Sequence, residues 1–301
     1  MSKGASSAWL LSEKISDGLG CIFSVGLSEG RIYIVSVRLT EHYHVKGESG
    51  NMGFQSVEGN LEAGSEVGII LPTYCEAESI GKLIDEIENL DLNLSILVID
   101  DSSPDGTAEV VRDCQKKYGN ILTFVRPEKF GLGTAITDGF KIFLSLKNPP
   151  RYIATMDADY SHDPKDIPRL MAPLKNGFDL IIGSRYCKGG SAVDWSLARL
   201  AISRTANFFA SRLIGETICD YTSGMRCYSS GLVSNIINDL HSETYEIQIE
   251  TIRQSHLRRF KIGEVPITFV NRKKGKSKLS FNEITQFVSY IFFKAILEYR
   301  H

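Results

Sequence analysis

The sequence predicts an α/β fold, a mostly parallel sheet with helices on both faces. Three observations lead there. From Val67 onward, short apolar runs alternate with segments whose apolar residues recur at helical spacing. The apolar runs are continuous, as strands covered on both faces require. Three of them end in ligand-type side chains, and open parallel sheets bind ligands outside the carboxyl ends of their strands.

The elements follow in order. VGIILP (67–72) reads as a buried strand, and ESIGKLIDEIENL (78–90) as a helix with one apolar stripe. LSILVIDD (94–101) is a second strand, TAEVVRDCQKKY (107–118) a helix and ILTFVRP (121–127) a third strand. GTAITDGFKIFLSL (133–146) is a helix and RYIATMDAD (151–159) a fourth strand, the outline of a doubly wound nucleotide-binding sheet. Residues 1–66 differ. RIYIVSVRL (31–39) reads as a strand, but residues 46–66 are polar and glycine-rich without periodicity. The expected organisation is an N-terminal extension and flexible linker over 1–66, followed by one domain over 67–301.

Composition sets outer bounds. The chain has 301 residues, 43% hydrophobic and 23% charged, as globular domains do, and its net charge of −2 argues against a nucleic-acid partner. Its six cysteines form no CxxC pair, which predicts buried thiols in a reducing compartment. The opening residues lack a signal-peptide core, and no run approaches the roughly 20 apolar residues of a membrane span. The expectation is a soluble or peripheral protein.

The acids carry the chemistry. In MDADYSH, period two along an extended chain points Asp157 and Asp159 to one side. Like charges so placed repel unless a cation lies between them, and a hard divalent ion suits oxygen ligands. Solvated acids in a surface turn are the alternative reading. The other two strand ends are PTYCE (72–76) and DDSSPDGT (100–107). PTYCE occupies the turn where a dinucleotide enzyme carries GxGxxG, and no Walker loop occurs anywhere. GLGTA (131–135) reads as tight packing at a helix start rather than a phosphate cradle.

LPTYCEAESI, VIDDSSPDGT, RPEKFGLGTA, MDADYSHDP, GSRY, DYTSGMRCY, IGEVPITFV and GKSKLS occur in this order. Together they resemble the motifs of the family 2 glycosyltransferases, and within them the dolichyl-phosphate (polyprenyl-phosphate) mannosyltransferases, over about residues 67–285. The resemblance implies a GT-A type nucleotide-sugar-binding fold. It implies a nucleotide-sugar pocket lined by Pro72, Tyr74, Glu76, Ile99, Asp101, Asp157, Ala158 and Asp159, with Arg185, Arg272 and Lys278 towards the diphosphate. Asp157 and Asp159 match the family's metal-binding pair, and Mg²⁺ or Mn²⁺ fits all-oxygen ligation. Some relatives have glutamine where this chain has Ser161, so water takes a third ligand position; His162 reads as a support behind the carboxylates. Arg185, Arg199 and Ser203 match the acceptor-phosphate residues, the last two lying four apart on one helical face. Asp220 sits where relatives hold an acid facing the sugar, to orient it or to act as a base.

The implied activity is metal-dependent, inverting transfer of mannose from GDP-mannose to a dolichyl or polyprenyl phosphate. UDP-glucose as donor and a non-catalytic nucleotide-sugar or lipid-binding protein are the rivals. The absence of QxxRW disfavours processive polysaccharide synthesis. Two segments, 195–215 and 281–300, read as amphipathic helices that lie on a membrane or pack on the domain's own core. The implied location is the cytoplasmic face of a membrane, the endoplasmic reticulum in a eukaryote or the plasma membrane in a prokaryote, with small membrane subunits as partners.

Overall fold

The computed structural model describes residues 57–59, 61 and 64–271, with the backbone alone of Ala198, Leu213 and four strands nearer the N-terminus. Those four are β1 (Leu10–Lys14), β2 (Cys21–Ser28), β3 (Arg31–Arg38) and β4 (Tyr43–Glu48). They pair in sequence order as an antiparallel sheet, and β3 coincides with the strand expected at 31–39.

The second sheet begins inside the stretch expected to be a flexible linker. β5 (Val57–Gly59) pairs antiparallel with β8 (Ile121–Val125), and Arg112 bridges to Glu58 at 2.8 Å. Three residues are too few to show a period, so this edge strand left no sequence signal. Next come β6 (Val67–Thr73), α1 (Ile80–Glu88), β7 (Leu94–Asp100), α2 (Thr107–Lys117), then β8, α3 (Leu132–Ser145) and β9 (Tyr152–Thr155). α1 shows why the alternation is legible: Ile80, Leu83, Ile84 and Ile87 form one buried stripe.

The second half continues with α4 (Ile167–Lys175), β10 (Leu180–Ser184), β11 (Ser191–Val193) and α5 (Leu197–Ile214). It ends with β12 (Arg226–Ser229), α6 (Ser230–Ile236), α7 (Ile247–Leu257), β13 (Ile262–Pro266) and β14 (Thr268–Val270). The eight-stranded sheet has the order β13-β10-β12-β9-β6-β7-β8-β5, and only β12 and β5 run against the rest. Six carboxyl ends therefore share one edge, and the reversed β12 brings the chain before Arg226 to that same edge. Alternate strand residues feed two apolar cores, one on each face. Ile70, Leu97, Ile99, Phe124 and Ile182 lie in one; Ile69, Leu71, Ile96, Val98 and Ile181 lie in the other.

β9 ends at Thr155, short of the expected boundary at 159. Its ladder with β12 stops at the pair Thr155–Arg226, and the acid pair follows in a bend with Tyr160 at φ 61°. Of the described cysteines only Cys227 is buried, and Cys75 and Cys219 are exposed, so the expectation of buried thiols does not hold.

Candidate active site

At one end of the edge, the loops after β6 and β7 are knitted together. Asp100 is fully buried and accepts from Thr73 Oγ1 at 2.8 Å and from Ser103 N and Oγ at 2.9 and 2.6 Å. Glu76 N donates to Thr107 Oγ1 at 2.9 Å, and Ala77 N to Asp105 Oδ2 at 3.0 Å. Asp101, expected in the nucleotide pocket, is buried against Arg126, whose Nε donates to it at 2.5 Å; Gly131 N donates to its other oxygen at 3.2 Å. Burial pushes its carboxyl above the usual range, and Arg126 and the Gly131 N–H only partly oppose that. Arg126 also donates to Thr134 Oγ1 at 2.7 Å and the Gly131 carbonyl at 2.8 Å.

Pro72 pairs across the ladder with Ile99, and Ile99 is wholly enclosed in a core. The expected pocket role of Ile99 therefore cannot use its side chain. Tyr74 lies beneath Lys129, whose Nζ is 4.4 Å from the ring centroid. Gly133 touches the backbone of the neighbouring loop so closely that a Cβ would come within 2.2 Å of the Ser242 carbonyl. GLGTA is thus close packing at the start of α3.

At the centre, Asp157 and Asp159 are half-buried on either side of buried Ala158. Asp159 Oδ1 accepts from Ser161 N at 3.0 Å. Behind Asp157, its own backbone N–H donates to His162 Nδ1 at 3.2 Å, and burial holds that imidazole below its usual pKa. Nδ1 therefore accepts, and the ring supports the backbone of Asp157 in its neutral form. Ser161 Oγ is buried and has no hydrogen-bond partner among the described residues.

These groups suit a cation shared with a substrate. Among the described residues no cluster of three or more His, Cys, Asp or Glu side chains could hold a metal. Two carboxylates beside an orphaned hydroxyl suit an ion that takes its remaining ligands from phosphate oxygens and water, as Mg²⁺ commonly does.

The far end is built from pairs distant in sequence. Arg185, just past β10, is buried and donates to Asp220 through Nε and Nη2, both at 2.7 Å, and through its backbone N–H at 3.0 Å. Thr222 N and Oγ1 also donate to Asp220, at 3.1 and 3.2 Å. Burial would raise the Asp220 carboxyl, but Arg185 and these donors outweigh it and hold the group below the usual range. With five hydrogen bonds to satisfy it, Asp220 positions Arg185; the expected alternative of a base has little support in this geometry.

Three more residues complete the arrangement, and sequence reading passed over all of them. Arg226 is fully buried and donates to the carbonyls of Tyr221 and Ser223 at 2.9 and 2.8 Å, clamping the loop that carries Asp220. Trp195 lies between two guanidiniums, 5.2 Å from Arg185 and 4.2 Å from Arg199, and packs edge-on against Phe269 at 5.4 Å. Phe269 in turn meets His162 at 5.1 Å, so one aromatic chain links the acid pair to the arginines. Arg199 also donates to Asn271 Oδ1 at 2.9 Å, and Tyr186 OH and Ser203 Oγ are 2.7 Å apart. Trp195 is one of only two tryptophans, which was the available signal. Arg272, Lys278 and the segment 281–300 lie outside the described residues.

A largely parallel sheet with a half-buried acid pair beyond one strand end is a fold of GT-A type. A family model described as Glycosyl transferase family 2 matches residues 68–237, and the chain belongs to that family. It is 35% identical over 220 residues to polyprenol monophosphomannose synthase of Mycolicibacterium smegmatis, covering 72% of this chain and 82% of that protein. It is 36% identical over 217 residues to undecaprenyl-phosphate mannosyltransferase of Micrococcus luteus, covering 70% and 86%. Glucosyl-3-phosphoglycerate synthase of Mycobacterium tuberculosis, solved with Mn²⁺, UDP and phosphoglyceric acid, superposes at a TM-score of 0.59. Its identity is 17%, over 78% of this chain and 80% of that one, a likeness of fold.

Proposed function

We propose that this protein transfers mannose, with inversion, from GDP-mannose to a polyprenyl phosphate such as dolichyl phosphate. The observation that carries the reading is the aromatic chain His162–Phe269–Trp195, which runs from the acid pair to Arg185 and Arg199, with Arg185 also 5.6 Å from the Phe269 ring. The similarity to two enzymes named for prenyl-linked mannose supports the choice of sugar and acceptor.

Asp157 and Asp159 would hold Mg²⁺ or Mn²⁺, which when bound offsets charge on the departing diphosphate. Pro72, Tyr74, Glu76, Asp101 and Ala158 are assigned to the nucleotide sugar, with Arg272 and Lys278 towards its diphosphate. A lipid phosphate is already anionic at neutral pH, so attack on the anomeric carbon needs no proton removed by the enzyme. What it needs is orientation and cationic guidance, and Arg185, Arg199 and Ser203 supply these, with Asp220 fixing the first.

Among the described residues no helix is long and apolar enough to cross a membrane. α5 buries Asn207, Ala210 and Ile214 and exposes Leu197 (84%), Ile202 (56%) and Phe208 (54%). It thus packs on the core and still presents an apolar outer face suited to a membrane surface or a small membrane subunit, on the cytoplasmic side. Radiolabelled GDP-mannose and UDP-glucose, each offered with polyprenyl phosphate, test the proposal. Label from GDP-mannose should enter an organic-soluble, acid-labile product; label entering only from UDP-glucose, or from neither, refutes it.

A further inference from the structure

A cavity of about 480 Å³ opens beside the Arg185–Asp220 pair, between α5 and the turn after β10. Its walls include Arg185, Tyr186, Arg204, Phe208, Ser211 and Ile218. From this cavity we infer that Arg204 adds a further positive charge, beyond those of Arg185 and Arg199, that helps hold the phosphate of a prenyl phosphate acceptor, an inference that rests on the function proposed above.

The argument is one of charge balance. Arg185 points to the cavity, but its guanidinium lies in a two-point ion pair with buried Asp220. A second carboxylate stands behind the same wall: Glu264 accepts from Cys219 N at 2.8 Å and from Asp220 N at 2.9 Å. With buried Arg226 clamping the loop behind Asp220, two guanidiniums stand against two carboxylates, and this wall by itself carries no surplus positive charge to attract an anion. Arg204 reverses that. It is exposed, lines the cavity from α5, and has no carboxylate within 4.0 Å among the described residues. Its described neighbour is the neutral ring of Tyr186, 6.0 Å from the guanidinium carbon and fixed by the hydrogen bond between Tyr186 OH and Ser203 Oγ. A cation beside an aromatic ring keeps its full charge for a ligand.

The rest of the cavity suits the same ligand. Phe208 and Ile218 add apolar surface, and Phe208 and the neighbouring Phe209, its ring 5.7 Å away, are both exposed on α5. A cationic group beside exposed apolar surface fits a phosphate monoester with a hydrocarbon chain better than it fits free phosphate.

The test is calorimetric titration of the full chain with farnesyl phosphate, and separately with inorganic phosphate. Arg204→Gln should weaken farnesyl phosphate binding about tenfold to a hundredfold, the usual effect of losing one charge-assisted contact. Arg204→Lys should recover most of it, and GDP-mannose binding should be unchanged in both. Arg212→Gln is the control, because Arg212 lies on the same helix over the Phe208 ring and outside the cavity wall; it should change affinity less than about twofold, as exposed charges do. Inorganic phosphate should bind far more weakly than farnesyl phosphate to the wild type. Unchanged farnesyl phosphate affinity in Arg204→Gln overturns the inference and leaves the proposed function standing, and an equal loss in Arg212→Gln does the same by showing general surface attraction. Free phosphate binding as tightly as farnesyl phosphate removes the lipid acceptor from the cavity. A wild-type chain that binds no farnesyl phosphate overturns the inference and the acceptor reading together.

Discussion

At one end of the sheet edge Asp101 meets Arg126, and at the far end Asp220 meets Arg185; both pairs are buried. In the first, burial outweighs the partner, and the carboxyl sits above its usual range. Arg126 spreads its donors over Thr134 and the Gly131 carbonyl, so it staples the loop after β8 to the end of β7. In the second, five donors outweigh burial, and the carboxyl sits below its usual range. There the arginine is left facing a cavity and the Trp195 ring. The same residue types thus sit in two settings, one stapling two loops together and the other leaving a guanidinium on a cavity wall. Ion pairing alone does not mark function; what lies beyond the pair does.

The largest expected effect concerns the acid pair between these ends. Asp159→Asn, or excess chelator on the wild type, should lower turnover by several orders of magnitude, since a catalytic cation supplies several kcal/mol. Added Mg²⁺ or Mn²⁺ should restore the chelated enzyme, and thermal unfolding of Asp159→Asn should stay near wild type because the side chain is only half-buried. Full activity in excess chelator would remove the metal from the site.

The two buried pairs should separate next, in stability against pH. Removing one partner of a buried pair typically costs about 3–5 kcal/mol. Asp220 is depressed in the folded state, so its contribution is present above the unfolded value of about 3.9 and fades as pH falls below it. The stability gap between wild type and Asp220→Asn should therefore shrink in acid. Asp101 is raised in the folded state, so wild type gains stability as pH falls from the raised value towards about 3.9. Its gap to Asp101→Asn should move the opposite way. Urea unfolding across pH 3–7 reads both, and parallel slopes would erase the distinction between the pairs.

The smallest effect lies at the N-terminus. Deleting residues 1–50 should leave transfer to a short-chain acceptor in detergent within about twofold. Extending the deletion through Gly59 removes β5 with its Glu58–Arg112 bridge and should cost about 1–2 kcal/mol of stability. A well-folded but inactive shorter truncation would give the extension a catalytic role.

Those contrasts match what could be read from residue order. The alternation from Val67 to Thr155 was legible because each element there carries its own period, as α1 does with its single buried stripe. The three acidic strand ends were legible for the same reason. β12 was not, because a reversed strand flanked by parallel ones has no distinct composition. The Arg126–Asp101 and Arg185–Asp220 pairs join residues 25 and 35 positions apart, a distance over which periodicity says nothing. Arg126 does stand at a strand end like the acids, but a lone arginine there does not announce which carboxylate it will meet. Trp195 and Phe269 matter through a stacking chain that only the folded edge brings together.

The central claim is that donor and acceptor are held by different sides of this edge, and crossing two variants with two substrates tests it most directly. Calorimetry with GDP-mannose alone and steady-state kinetics with varied polyprenyl phosphate would be measured for Asp159→Asn and Arg199→Ala. Arg199→Ala should raise the acceptor constant about tenfold to a hundredfold while donor affinity stays within about twofold. Asp159→Asn should weaken the donor in the presence of Mg²⁺ and leave the acceptor constant near wild type. Loss of donor binding in Arg199→Ala with an unchanged acceptor constant would contradict the division and reverse the assignment of the two sides.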